Sequence, residues 1–144
     1  MAAIVQGGLT RVIVPRIGEQ KATIVGLMLA AVSYAGYGLA TEGWMIYAIL
    51  VFGSLAGITS PSIQGLISRG VGPDEQGGVQ GALASLASIA GIIGPPIGTN
   101  LFSYFINPRA PMHMPGAAFF FSSVLLLVAI VLAERSFRKT KQPH

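Results

Sequence analysis

The sequence predicts an all-α, polytopic membrane protein with four transmembrane helices. Hydrophobic residues make up 52% of the chain and charged residues 10%. Mean hydropathy is +0.67, which points to lipid as the solvent. The charges also sit in short clusters, and the apolar stretches between them each reach the roughly twenty residues needed to cross a bilayer.

The segment that opens the chain, MAAIVQGGLTRVIVPRIGEQ, is interrupted by Arg11, Pro15 and Arg16 and is too short and too charged to span. It is not a signal peptide, because its apolar part precedes its basic residues and no small-residue cleavage site follows. Residues 1–21 therefore read as the end of a preceding helix and an inter-helix loop. Stretches 22–41, 43–68 and 76–108 carry no charged residue, and neither does 110–132, where His113 is the one imidazole. They predict helices over about 22–40, 44–67, 79–105 and 116–133, grouped as a transmembrane region 22–133 followed by a basic tail, 134–144.

Orientation follows from the loops. With the N-terminus cytoplasmic, the inner segments hold Arg11, Arg16, Lys21, Arg69, Arg135, Arg138, Lys139 and Lys141, and the outer ones hold Arg109. The positive-inside rule favours that placement, with both termini cytoplasmic. Trp44, Tyr47, Tyr104, Phe105 and Phe119 to Phe121 then fall near the outer interface, where amphipathic aromatic rings concentrate.

Several functions are excluded. The net charge is +4, but no aromatic residues interleave with the basic ones, so a nucleic-acid surface is not predicted. Without cysteine there is no disulfide framework and no thiolate metal site. His113 and His144 have no second ligand at helical spacing and read as solvated, so neither metal nor cofactor is expected. No glycine-rich phosphate loop ends in Lys and Ser or Thr, and an enzyme is not predicted. Glu19, Glu42, Asp74, Glu75 and Glu134 all lie in loops or at helix ends, which leaves no carboxylate at membrane depth for a proton relay.

Two helix faces stand out. On the third span Gly81, Ala84, Ser88, Gly91, Pro95 and Gly98 recur at alternating steps of three and four, with Gly94 close by. That spacing aligns small side chains into a seam another backbone can approach, although Gly and Ala are also common in membrane helices generally. Two adjacent prolines there free the carbonyls of Gly91 and Ile92, a bend expected of an interface helix. On the second span Gly53, Gly57, Ser60, Gln64 and Ser68 are expected on one face beside Pro61. Such a stripe suits a wet cavity or close helix contact, and Gln64 suits a ligand or an interhelical hydrogen bond.

Three stretches carry a family resemblance: SPSIQGLISR (60–69), DEQGGVQG (74–81) and GIIGPPIG (91–98). With the loop GGLTRVIVPRIGEQKA and the last apolar span, the chain resembles the C-terminal portion of a major facilitator superfamily drug/proton antiporter of the tetracycline-efflux type. The resemblance implies helices nine to twelve of twelve, lying in the C-terminal half of the transporter. Gly91, Gly94, Pro95 and Gly98 resemble the glycine-proline motif of the paired interface helices, and Ser60 and Gln64 would line the substrate cavity. The first and last spans would be outer supports. Arg16 and Gly18 resemble part of a cytoplasmic loop motif, but its acidic position falls on Pro15 and a basic one on Glu19, so no gating ion pair carries over to this loop.

The implied function is that of a fragment of a proton-coupled exporter in the cell inner membrane. Its partners would be lipid, the N-terminal helices of the transporter and a small amphipathic drug. The alternative is a stand-alone four-helix membrane protein with a structural or assembly role.

Overall fold

The computed structural model describes residue 14, residues 16–107 and residues 114–140. Arg11, Pro15, Arg109, His113, Lys141 and His144 lie outside the described residues. The elements are α1 (Glu19–Leu39), α2 (Gly43–Ser54), a 3₁₀ turn (Leu55–Ile58), α3 (Thr59–Gly70), α4 (Gln76–Ile106) and α5 (Ala117–Thr140). Among the described residues four helices are long and apolar enough to cross a membrane: α1, α2 to α3 taken together, α4 and α5. The predicted all-α, four-span class holds.

Helix ends depart from the predicted ones for local reasons. Gly18 adopts φ 83°, a conformation that L side chains rarely take, and marks the start of α1 three residues early. At the other end α5 continues through the basic residues to Thr140, so residues 134–140 are helical and not an irregular tail. Arg138 and Lys139 in that last turn complement the helix dipole, and Arg138 faces Glu134 at 3.8 Å.

Residues that bend the chain act differently in two spans. Before Pro61 the second span tightens into the 3₁₀ turn, because proline has no N–H to offer the carbonyl four residues back and its ring crowds the preceding turn. In contrast α4 runs through Pro95 and Pro96 as one α-helix of 31 residues, roughly 46 Å long. The 3₁₀ turn at Leu55–Ile58 thus interrupts the second span just before Pro61, while the double proline leaves α4 continuous.

Small residues on α1 organise the packing, and α1 touches every other span except α4 extensively. Towards the second span, a Cβ on Gly26 would overlap the Thr59 hydroxyl, Gly36 lies against Ile49, and Gly53 lies against Ser33. Towards α5, Gly38 accepts the ring of Phe120 and its backbone meets that of Gly116. Ser123 Oγ donates to the Ala31 carbonyl across that contact at 2.9 Å, with Ser123 buried. The buried hydroxyls of Thr23, Ser33 and Ser62 donate to carbonyls four residues back, so each polar group is satisfied within its own helix. Most of the remaining surface is apolar, with Ile92, Val51 and Leu132 more than half exposed, as lipid-facing side chains would be.

Candidate functional site

The second span supplies the polar residues. Above the 3₁₀ turn its contact with α1 runs through Ile49 and Gly53; below the turn it runs through Thr59 and Gly65. Ser60, Gln64 and Ser68 are exposed and Gly57 is half-buried within the turn, so the single stripe expected from Gly53 to Ser68 is broken. The extra winding of a 3₁₀ turn shifts the helical phase, which an ideal helical projection does not anticipate. Gln64 is occupied: Gln80 Nε2 of α4 donates to Gln64 Oε1 at 2.6 Å. Next to it Gln76 Nε2 donates to the Ser68 carbonyl at 3.4 Å. Two glutamines thus pin the start of α4 to α3, and Ser60 lies one turn away on the open side.

On α4 the seam meets nothing. No residue of this helix is buried, and a Cβ at Gly81, Gly91, Gly94 or Gly98 would find no atom within 4 Å among the described residues. Pro95 is exposed between them. Packing of α4 is mainly with α5, and the seam is left free. Thr99 Oγ1 and Asn100 Nδ2 donate to the carbonyls of Pro95 and Pro96 at 2.6 and 2.7 Å, satisfying polar side chains inside the helix just past the proline pair.

One contact was not foreseen. Arg69 Nη2, at the end of α3, lies 3.2 Å from Glu19 Oε1 at the start of α1. Room for the carboxylate exists because Gly65 has no side chain; a Cβ there would stand 2.5 Å from Glu19 Oε1. The glycine four residues before an arginine was a visible signal, but its acidic partner lies fifty positions away. Arg16 is exposed, and Gly18 contributes its positive φ rather than any contact.

Charge and aromaticity separate by end. Lys21 and Arg138 meet around one groove near the Glu19–Arg69 pair, while at the opposite end Tyr37 packs on Phe119 with ring centroids 5.7 Å apart. The Trp44 indole N–H donates to the Glu42 carboxylate at that aromatic end. Among the described residues no group of three or more His, Cys, Asp and Glu side chains could hold a metal.

A model of the Major Facilitator Superfamily matches residues 12–144. The chain belongs to the Major Facilitator Superfamily. It is 38% identical over 101 residues to Tetracycline resistance protein, class C, of Escherichia coli, an alignment covering 70% of this chain and 26% of that protein. Against Tetracycline resistance protein, class D, of Salmonella ordonez it is 32% identical over 135 residues, covering 92% of this chain and 32% of that one. Hippocampus abundant transcript-like protein 1 of Homo sapiens is 23% identical over 147 residues, 92% of this chain and 29% of its own length. The chain thus spans between 26% and 32% of the length of these curated relatives. No solved structure matches it. Membership in the Major Facilitator Superfamily makes this a multi-pass membrane chain of a transporter family.

Proposed function

We propose that the four spans are helices nine to twelve of a proton-coupled exporter that expels a small amphipathic drug of the tetracycline class. The observation that carries this reading is the open seam of α4. Four glycines on a membrane helix meet no neighbour among the described residues, in a chain matched to a third or less of tetracycline resistance proteins. Close backbone approach is what such seams are for in lipid, where van der Waals packing replaces the hydrophobic drive. The natural occupant is the rest of the transporter, against which this bundle rocks to alternate access.

In this assignment Ser60 and Gln64 face the substrate cavity, Gly91, Gly94, Pro95 and Gly98 form the contact with the other half, and α1 and α5 are outer supports. Proton coupling resides elsewhere in the transporter: among the described residues Glu19 and Glu42 stand at helix starts, Asp74 and Glu75 in a turn, and Glu134 beside Lys21 and Arg138 at the charged end. The chain lies in the cell inner membrane, its basic end and both termini cytoplasmic, following the distribution of Lys and Arg.

Reconstitution tests the reading. The 144-residue chain alone in proteoliposomes should give no pH-gradient-dependent uptake of tetracycline. Joined to the N-terminal two thirds of the class C resistance protein, it should restore uptake that a protonophore abolishes. Gradient-driven uptake by the chain alone would overturn the proposal in favour of a self-sufficient four-helix exporter.

A further inference from the structure

Where α1 begins and α5 ends, a groove of about 230 Å³ is lined by Gln20, Lys21, Ile24, Glu134, Phe137 and Arg138. It combines two chemistries. Lys21 and Arg138 are exposed at the charged end of the bundle, while Ile24 and Phe137 are half-buried beside them. Lys21 has no ion-pair partner among the described residues. Arg138 is opposed, among the described residues, by Glu134 at 3.8 Å, both partners being substantially exposed, an arrangement in which water screens the pair and a better anion can displace it.

Helix docking does not suit this groove. In lipid, helices approach through small residues, and here the lining is long side chains, whereas the small-residue seam lies on α4. Two cations against one carboxylate, beside two apolar side chains at a membrane surface, instead match an anionic headgroup with its acyl chains.

We propose that the groove between the start of α1 and the end of α5 binds an anionic glycerophospholipid, with Lys21 and Arg138 holding the phosphodiester and Ile24 and Phe137 against the chains. Gln20 completes the polar rim as a neutral donor. The bound lipid bridges the two helices at the end opposite their Gly38–Gly116 contact. The proposal requires that the chain span a bilayer and is independent of what the transporter exports.

Native mass spectrometry of the unmodified chain, released from detergent containing equal amounts of phosphatidylglycerol and phosphatidylcholine, tests it. One phosphatidylglycerol should be retained in preference to phosphatidylcholine by roughly five-fold or more, the factor that one surface cation contributes. Lys21→Gln with Arg138→Gln should abolish the preference; both side chains are exposed, so the fold is not at risk. Arg16→Gln with Lys139→Gln removes the same charge outside the groove and should leave the preference intact. Equal retention of the two lipids by the unmodified chain would overturn the proposal. So would a preference that survives the groove variant, or one lost equally in the control. Displacement of the lipid by millimolar sn-glycerol 3-phosphate would overturn it too, by showing a site for free phosphate.

Discussion

Glu19 and Arg69 join the start of the first span to the end of the second, Oε1 to Nη2 at 3.2 Å, with the glutamate side chain 15% exposed and the arginine 80%. The inequality decides which residue matters. Solvent screens the arginine, so Arg69→Gln should lower stability by about 1 kcal/mol or less. Gly65→Val would drive a side chain into the Glu19 carboxylate and should lower it by roughly 1–3 kcal/mol. Thermal unfolding in detergent followed by helix circular dichroism ranks them; a larger effect of Arg69→Gln would show that the pair outweighs the packing.

The crossing of α1 and α3 at Gly26 and Thr59 is a second test. Gly26→Ala forces overlap with the Thr59 hydroxyl and contact with Ile58 Cγ2 at 3.0 Å, and should destabilise by roughly 1–3 kcal/mol. The Thr59 hydroxyl is buried without a hydrogen-bond partner among the described residues, so Thr59→Val should be neutral or stabilising by up to about 1 kcal/mol. A Thr59→Val variant that unfolds at lower temperature would reveal a partner for the hydroxyl.

Glycines of the α4 seam should behave oppositely in two contexts. Gly91→Leu and Gly98→Leu should leave the thermal unfolding of the 144-residue chain within about 0.5 kcal/mol of the parent, because no described residue has an atom within 4 Å of a Cβ at either position. In the whole transporter the same substitutions should reduce accumulation or drug efflux. Normal accumulation and efflux there would place the partner of α4 elsewhere.

Gln64 and Gln80 separate packing from substrate contact. Gln80→Ala breaks the 2.6 Å bond and should cost about 1 kcal/mol. Gln64→Ala should cost the same and, in addition, weaken drug efflux at unchanged protein level. Equal efflux in the two variants would reduce Gln64 to its bond with Gln80.

Gly18 has a conformational role that a single substitution exposes. At φ 83°, Gly18→Ala meets no clash among the described residues but must adopt a strained backbone, and should destabilise by roughly 1–3 kcal/mol. An unchanged unfolding temperature would mean that the entry to α1 relaxes at no cost.

The number of spans, their apolar character and the charged and aromatic ends were legible in the sequence. Each is a sum over residues adjacent along the chain, and the transfer of about twenty apolar residues into lipid is decided locally. The seam of α4 was legible for the same reason, since an unbroken helix keeps its phase from Gly81 to Gly98. Only the tertiary structure decided which faces meet. The 3₁₀ turn at Leu55–Ile58 re-phased the second span, and so placed Gly53 on Ser33 while turning Gln64 towards Gln80. Likewise Glu19 found Arg69, and Gly26 found Thr59, through the relative rotation of helices remote in sequence. Helix rotation in lipid is set by side-chain packing between helices, because the surrounding chains are equally apolar on every side and favour no face.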